Sequence, residues 1–344
     1  MGKNTNEFIK KAKQGDLDAE YIMAKRYLFG DGVIKDYEKG LLLLIKSAKN
    51  DNIYSKLLLG KLYITGNIIR RDIDKAMNYV KDLAEEGNEE AQCYLGVCYE
   101  KKYMSKEAFY WIEKSSNKGY LDAEYRLGSY YQTGYGVNAN PVKALKWYKK
   151  AAIRGYKHAL YELGNMYRLG EEVNYDYTKA IKYYEKAAIQ GHKEAIYETA
   201  KMYENGLGTQ KDYNKAIEYY EKNALKNHLE SIYELGNIYE KGLGVEKDYN
   251  IAKEYYKKAA SSDHSDSHYK LGNMYENGIS VKKDYDKAIK HYEKSAYPKI
   301  IWKMGAYTKI AQKKLEELNS KLSYNESEYV KSMKESYKKI LENL

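Results

Sequence analysis

The stretch "IYELGNIYEKGLGVEKDYNIAKEYYKKAA", Ile232 to Ala260, places small residues where a packed helix is expected to carry bulk. A glycine interrupts the first apolar run, a Gly-x-Gly pair follows, and two adjacent alanines close the segment. Nearly the same wording recurs on both sides. Aligned on the first small residue, the copies begin at Ala19, Ser55, Ala91, Ala123, Ala159, Ala195, Ser231 and Ser267, spaced by 36 residues except for 32 between Ala91 and Ala123. A fixed period of this length marks a repeat array, in which each copy buries its apolar face against its neighbours.

Within a copy, Ala159, Leu163, Gly164 and Tyr167 fall at i, i+4, i+5 and i+8, one face of a helix. A break such as "NGLG" at Asn205 to Gly208 follows. Ala180, Tyr184, Ala187 and Ala188 then define a second helical face. Each copy therefore reads as two antiparallel helices. Asp36, Asp72, Asp176, Asp212, Asp248 and Asp284 sit four residues before the Ala or Gly of the second helix, where a carboxylate caps free backbone N–H groups. In the fourth copy Asn140 takes this place and is followed by Pro141, a favoured first helical residue.

Gly60, Gly96, Gly128, Gly164, Gly236 and Gly272 lie inside first helices, with Ala24 and Ala200 in the same slot elsewhere. Each mid-helix glycine costs roughly 0.8–1.0 kcal/mol against alanine, about 5 kcal/mol in all if the costs add. Close approach of neighbouring helices, backbone to backbone, is the expected offset.

The 344 residues carry 42 tyrosines against three phenylalanines and only two prolines, so the aromatic content is almost wholly amphipathic. The net charge of +10 comes from lysine, with arginine scarce, and 49 acidic residues are interspersed with 59 basic ones. Such mixing reads as a solvated face more readily than as a nucleic-acid surface. Cys93 and Cys98 are five apart in a helix and point in different directions, so no disulfide is expected between them. No apolar run is long enough to span a bilayer and no secretory signal follows Met1, so a cytoplasmic location without membrane attachment is the expectation. Met-Gly at the start is not read as a myristoylation site, because Asn6 stands where Ser or Thr is needed.

The pattern A-x-x-x-L-G-x-x-Y-x-x-G-x-G-V, then D-x-x-K-A-x-x-Y-Y-x-x-A-A, resembles the Sel1-like repeat, a relative of the tetratricopeptide repeat. The resemblance runs from about Ala19 to Ala296. It implies an all-α, right-handed solenoid of eight Sel1-like repeats with helical caps. It further implies a non-enzymatic scaffold or adaptor in signalling, complex assembly or, in bacteria, inhibition of a toxic effector. Three organisational segments are expected: residues 1–18 as an N-terminal half-repeat cap, 19–298 as the repeats, and 299–344 as a C-terminal helical hairpin. The third copy lacks four residues in its loop "EKKYMSK" and has Met104 at the cap position. Ile68, Glu172 and Ser280 replace the second turn glycine in other copies, so those loops are expected to differ in shape.

After Pro298 the period ends. Met304, Tyr307, Ala311, Leu315, Leu318 and Leu322 form one apolar stripe, and Val330, Met333, Tyr337, Ile340, Leu341 and Leu344 another. Covering the last repeat is the expected role of this hairpin, with self-association or partner docking as the alternative.

By analogy with the tetratricopeptide arrangement, the groove-facing positions lie two before and two after the Leu of each Leu-Gly. One row is Tyr125, Tyr161, Tyr197, Tyr233 and Tyr269; the other is Ser129, Asn165, Lys201, Asn237 and Asn273. The resemblance implies that Asn165, Asn237 and Asn273 hold the backbone or terminal carboxylate of a partner segment, since an amide both donates and accepts. Recent duplication of near-identical copies accounts for the same rows without binding. Alternating tyrosine with polar residues would also suit single-stranded nucleic acid, the alternative reading.

No cofactor or metal is expected. His192, His228 and His264 recur at 36 residues, but equivalent points of stacked helices lie about 10 Å apart, too far for one coordination shell. Ser115-Ser116-Asn117-Lys118 contains Ser-x-x-Lys without an accompanying Lys-Thr-Gly and falls at a helix end, so no enzyme is expected. Gly242-Leu243-Gly244 is a turn rather than a phosphate-binding loop, because no strand precedes it.

Overall fold

The computed structural model describes residues 3–297 and 307–322, together with Lys331 and Glu335. The chain divides into two compact units, residues 1–175 and 176–344. The first holds α1 (Lys3–Lys13), α2 (Leu17–Phe29), α3 (Tyr37–Lys49), α4 (Ile53–Thr65), α5 (Ile73–Glu85), α6 (Glu89–Lys101), α7 (Ser105–Asn117), α8 (Leu121–Thr133), α9 (Pro141–Ile153) and α10 (Lys157–Leu169). The second holds α11 (Tyr177–Ile189), α12 (Lys193–Asn205), α13 (Tyr213–Ala224), α14 (Leu229–Lys241), α15 (Tyr249–Ala260), α16 (Ser265–Asn277), α17 (Tyr285–Ala296) and α18 (Thr308–Leu322). No strand occurs among the described residues. Within each unit every helix packs on the next in sequence, the nearest-neighbour arrangement of an α-solenoid.

The helix boundaries follow from capping. Asp36, Asp72, Asp176, Asp212, Asp248 and Asp284 are the N-caps of second helices, each accepting from a backbone N–H three residues on. Asn140 does the same, with Pro141 at the first helical position. In the short copy Met104 supplies no side-chain cap. The turn there shrinks to residues 102–104, with Tyr103 left-handed at φ 60°.

Two of the divergent loops keep the common shape. Glu172 and Ser280 adopt φ of 55° and 58°, the left-handed turn that Gly208 and Gly244 make at 71°. The expectation that these loops differ is corrected: the surrounding helices impose the turn and the non-glycine residue absorbs a strain of about 1–2 kcal/mol. Ile68 does not take this conformation.

The mid-helix glycines also need correction. A Cβ built on Gly236 would lie 2.5 Å from Cε1 of Tyr256, and one on Gly272 would lie 2.7 Å from the ring of Tyr292. On Gly128 it would meet Tyr148 at 2.7 Å, on Gly96 Ile112 at 2.8 Å, and on Gly60 Val80 at 2.4 Å. The helices do come close, since a Cβ on Gly96 would also lie 3.2 Å from the Ala108 carbonyl oxygen, but the nearest atoms are those of a side chain rather than the backbone. Each of these five glycines opens a notch into which the second helix of the copy presses one large side chain. Tyr148, Tyr220, Tyr256 and Tyr292 are almost completely shielded from solvent. Their contacts offset the propensity cost of the glycines.

At the N-terminal end Phe8, Ile9 and Ala12 of α1 pack with Ala19 and Met23. At the other end Ala311, Leu315 and Leu318 of α18 join one cluster with Ala288, Ile289, Tyr292, Ala296 and Tyr297. This part of the first C-terminal stripe is thus spent on the last repeat. Met304 and the second stripe, Val330, Met333, Tyr337, Ile340, Leu341 and Leu344, lie outside the described residues.

Candidate partner-binding face

The first helices begin with a cap that changes along the chain. Asp16, Asn52 and Asn88 accept a backbone N–H through a side-chain oxygen. Tyr120 and Tyr156 make no such bond. His192, His228 and His264 resume the role with an imidazole: Nδ1 accepts the N–H of Ala195 at 3.3 Å, Ser231 at 3.2 Å and Ser267 at 3.2 Å. The histidine ladder is therefore a row of helix caps. A ring accepting through Nδ1 is neutral and carries its proton on Nε2. Burial favours that state by lowering the His228 pKa.

The tyrosine row rests on these caps. Tyr197 lies 5.9 Å from Tyr220 and 5.4 Å from His228, centroid to centroid. Tyr233 sits 5.8 Å from Tyr256 and 5.1 Å from His264. Tyr269 lies 5.7 Å from Tyr292 and stacks on Tyr307 at 4.5 Å and 3°. Tyr307, immediately before α18, thus occupies the place that a cap histidine takes in the preceding copies. In the first unit Tyr125 packs on Tyr148, Tyr156 and His158 at 5.9, 5.3 and 5.6 Å. Tyr161 is half-buried. Tyr233 is the most enclosed of the row, only 9% exposed.

The second row is less uniform than its sequence. Asn165 Nδ2 donates to Glu162 at 3.2 Å. Asn237 is buried, donating to Glu234 at 2.9 Å and lying 2.9 Å from the Tyr256 hydroxyl, whose one proton it shares with Glu240, so both ends of its amide serve the fold. Asn273 Oδ1 accepts from Asn277 at 2.8 Å. Lys201 Nζ lies 5.8 Å from the Tyr197 ring centroid and 3.9 Å from Glu234 Oε1.

A third row was not singled out from the sequence. The hydroxyls of Tyr220, Tyr256 and Tyr292 donate to Glu204, Glu240 and Glu276 at 2.7, 2.9 and 2.7 Å, and that of Tyr148 donates to Gln132 at 2.7 Å. Each pair is sixteen residues apart. Burial and the adjacent carboxylate hold the three Glu-paired tyrosines well above the usual phenol range. The recurrence of both Glu and Tyr at the repeat period was the available signal.

In the short copy the notch residue is Ile112, which has no hydroxyl, and the corresponding Glu100 turns to the next copy instead. It accepts from Tyr130 at 2.7 Å and pairs with Arg126 at 3.3 Å, while Arg126 Nε donates to Asp122 at 2.7 Å. Ser129, Tyr125 and Thr133 join these groups around a cavity of about 300 Å³.

Ser115 is buried and its Oγ donates to the Glu89 carbonyl at 2.6 Å, while Lys118 reaches the carbonyl of Gly87. The Ser-x-x-Lys residues are thus engaged with the backbone of the preceding helix and turn. Cys93 and Cys98 are both buried and free. Among the described residues no group of three or more His, Cys, Asp or Glu could hold a metal ion. No helix among them is long and apolar enough to cross a membrane.

Paired helices at a fixed period, knitted by repeated caps and notches, define an all-α repeat array of the solenoid class. The Sel1 repeat model matches residues 17–52, 53–88, 89–101, 105–120, 121–156, 157–192, 193–228, 229–264 and 265–297, and the chain belongs to the Sel1 repeat family. The segments 89–101 and 105–120 are the two halves of the short copy. Proteins of this family are generally protein-interaction scaffolds. Among solved structures, the chain is similar to c5321, a protective antigen present in uropathogenic Escherichia coli strains that displays an SLR fold. Identity is 28% over 93% of this chain and 68% of that one, with a TM-score of 0.70. A Sel1 repeat protein from Oxalobacter formigenes is 25% identical over 92% of this chain and 91% of its own, with a TM-score of 0.60. No curated protein matches the chain at a significant level.

Proposed function

We propose that this protein is a non-enzymatic cytoplasmic adaptor that holds an extended or partly helical segment of another protein against its first helices. In the first unit the face comprises Tyr125, Tyr161 and Asn165; in the second it comprises Tyr197, Lys201, Tyr233, Asn237, Tyr269 and Asn273. The observation that carries this reading is the backed tyrosine row. Each ring of Tyr197, Tyr233 and Tyr269 is supported by a buried tyrosine of its own copy and by a second ring, the cap histidine of the next copy for the first two and Tyr307 for the third. Side chains already fixed in place lose little entropy on binding, so their area converts efficiently into affinity. Asn165 and Asn273 supply amides beside the rings, while Asn237 chiefly fixes Tyr256. Residues 1–18 and the segment from 299 onward act as caps, which fits the packing of α1 on α2 and of α18 on α17.

The test is capture from a lysate of the source organism by the full-length protein and by a Tyr197→Ala/Asn273→Ala variant of matched folding. A protein retained by the native chain and lost by the variant is expected. Equal retention by both would move the binding surface off the first helices.

A further inference from the structure

The two helix layers of residues 176–344 carry opposite charge. The first helices α12, α14 and α16 hold eight acidic side chains against four lysines, a formal −4. The second helices α11, α13, α15 and α17 hold eleven lysines against six acidic side chains, a formal +5. The chain is basic overall, yet the layer bearing the tyrosine row is acidic.

The excess concentrates around Tyr197. Burial first, and then Glu234, Glu198, Glu230 and Glu204, hold its hydroxyl above the usual phenol range. Glu234 is met by Lys201. Among the described residues no lysine or arginine pairs with Glu194, Glu204 or Glu230. Glu194 and Glu230 approach only the rings of His192 and His228, at 3.3 and 3.5 Å, and burial lowers the His228 pKa against the pull of these two carboxylates. Both carboxylates are more than half exposed.

The same face already shows what such a setting holds. Lys201 lies between the Tyr197 ring and Glu234. Lys270 lies 2.5 Å from Glu240 and over the rings of Tyr256 and Tyr307 at 5.8 and 5.9 Å. Ammonium groups framed by a tyrosine face and a carboxylate are therefore a recurring element here, and cation–π attraction adds to the ion pair. Two are filled from within the chain, while beside Tyr197 the carboxylates of Glu194, Glu204 and Glu230 have no such ammonium partner among the described residues.

We propose that the face of α12 and α14 around Tyr197 is the seat of a lysine- or arginine-rich extended segment of a partner protein, its cations meeting Glu194, Glu204 and Glu230. This rests on the adaptor reading above and assigns the partner's chemistry. It also places a negative potential on the tyrosine row of this unit, which opposes a phosphate backbone.

The test uses the full-length chain and a fluorescein-labelled peptide of alternating glycine and lysine, with a glycine–glutamate peptide as its sign control, followed by fluorescence anisotropy. One variant carries Glu194→Gln, Glu204→Gln and Glu230→Gln. Gln132 already accepts the Tyr148 hydroxyl, so Gln is tolerated in the position of Glu204. A second variant makes the same charge change on the second helices through Glu218→Gln, Glu221→Gln and Glu254→Gln. The basic peptide alone is expected to bind, more weakly as salt rises, with about a tenfold loss in the first variant from three modest ion pairs and none in the second. Equal losses in both variants, binding of the acidic peptide, or no binding of the basic one would overturn the proposal. If lysate capture depends on Tyr197 and Asn273 but not on the three glutamates, the adaptor reading survives and this charge assignment falls. If capture depends on neither, both fall.

Discussion

Residues 53–120 and residues 121–297 build the same notch and fill it differently. In the earlier segment Val80 and Ile112 press against Gly60 and Gly96. In the later one Tyr148, Tyr256 and Tyr292 press against Gly128, Gly236 and Gly272. An aliphatic side chain needs only shape, whereas a phenol also needs an acceptor, since a buried hydroxyl without one costs about 1–3 kcal/mol. The Gln132, Glu240 and Glu276 positions meet that need. Where Ile112 removes it, Glu100 is released to bind Arg126 and Tyr130 of the next copy. Part of the acidic character of the first helices is thus a by-product of core chemistry. Glu194 and Glu230 serve no tyrosine, and Glu204 accepts the Tyr220 hydroxyl through one oxygen only; these are the carboxylates assigned above to the proposed partner.

Removing the aromatic knob is the most damaging change. Tyr256→Ala is expected to cost about 3–5 kcal/mol in denaturant unfolding, through lost burial and a cavity against Gly236. A cost below that of an ordinary surface change would mean the notch collapses onto the smaller residue. Filling the notch instead, Gly236→Leu should cost about 1–3 kcal/mol, because a Cβ alone would already sit 2.5 Å from Tyr256. An unchanged melting curve would show that the two helices separate freely.

Tyr256→Phe sharpens the distinction between shape and hydrogen bonding. It keeps the ring and removes the hydroxyl shared by Glu240 and Asn237, for an expected loss of about 1 kcal/mol. If stability is unaltered, the aliphatic and aromatic notches differ in size alone.

The smallest effect near neutrality concerns the last copy, where His268 replaces the Ile196 and Ile232 of its two predecessors. His268 and His291 bring their Nδ1 atoms to 3.0 Å, and burial lowers their pKa values from 6.5 to about 3 and about 4, helped by Lys294 and, for His268, by His291 and His264. Folded values below the unfolded one mean that stability is full above pH 6.5 and is lost as the pH falls towards 4. Melting temperature should decline across that window in the native chain and less steeply in His268→Ile. Parallel profiles would show that the acid sensitivity lies elsewhere.

Much of this architecture was legible in the residues. Asp36 to Asp284 marked second helices because a capping carboxylate acts on its own next turn, a local effect that no distant contact alters. The alternation of Tyr197, Tyr233 and Tyr269 likewise follows from the period. The sequence was less informative where a side chain answers to another helix. The glycines looked like seams between backbones, and only the position of Tyr256 reveals a socket. The asparagines looked equivalent, yet Asn237 is enclosed by Glu234 and Tyr256 while Asn273 bonds Asn277. Nor could spacing alone show that the histidine ladder caps helices, since cap geometry depends on a ring rotamer.

The sequence by itself determined the repeat, the helix limits and the family, because propensity, capping and period act over a few residues and repeat in every copy. Tertiary structure alone decided which polar groups are already spent. A tyrosine sixteen residues from a glutamate, or a lysine between a ring and a carboxylate, becomes a pair only when two helices are brought together. That pairing leaves Glu194 and Glu230 without a lysine or arginine among the described residues, which is the ground of the basic-segment proposal.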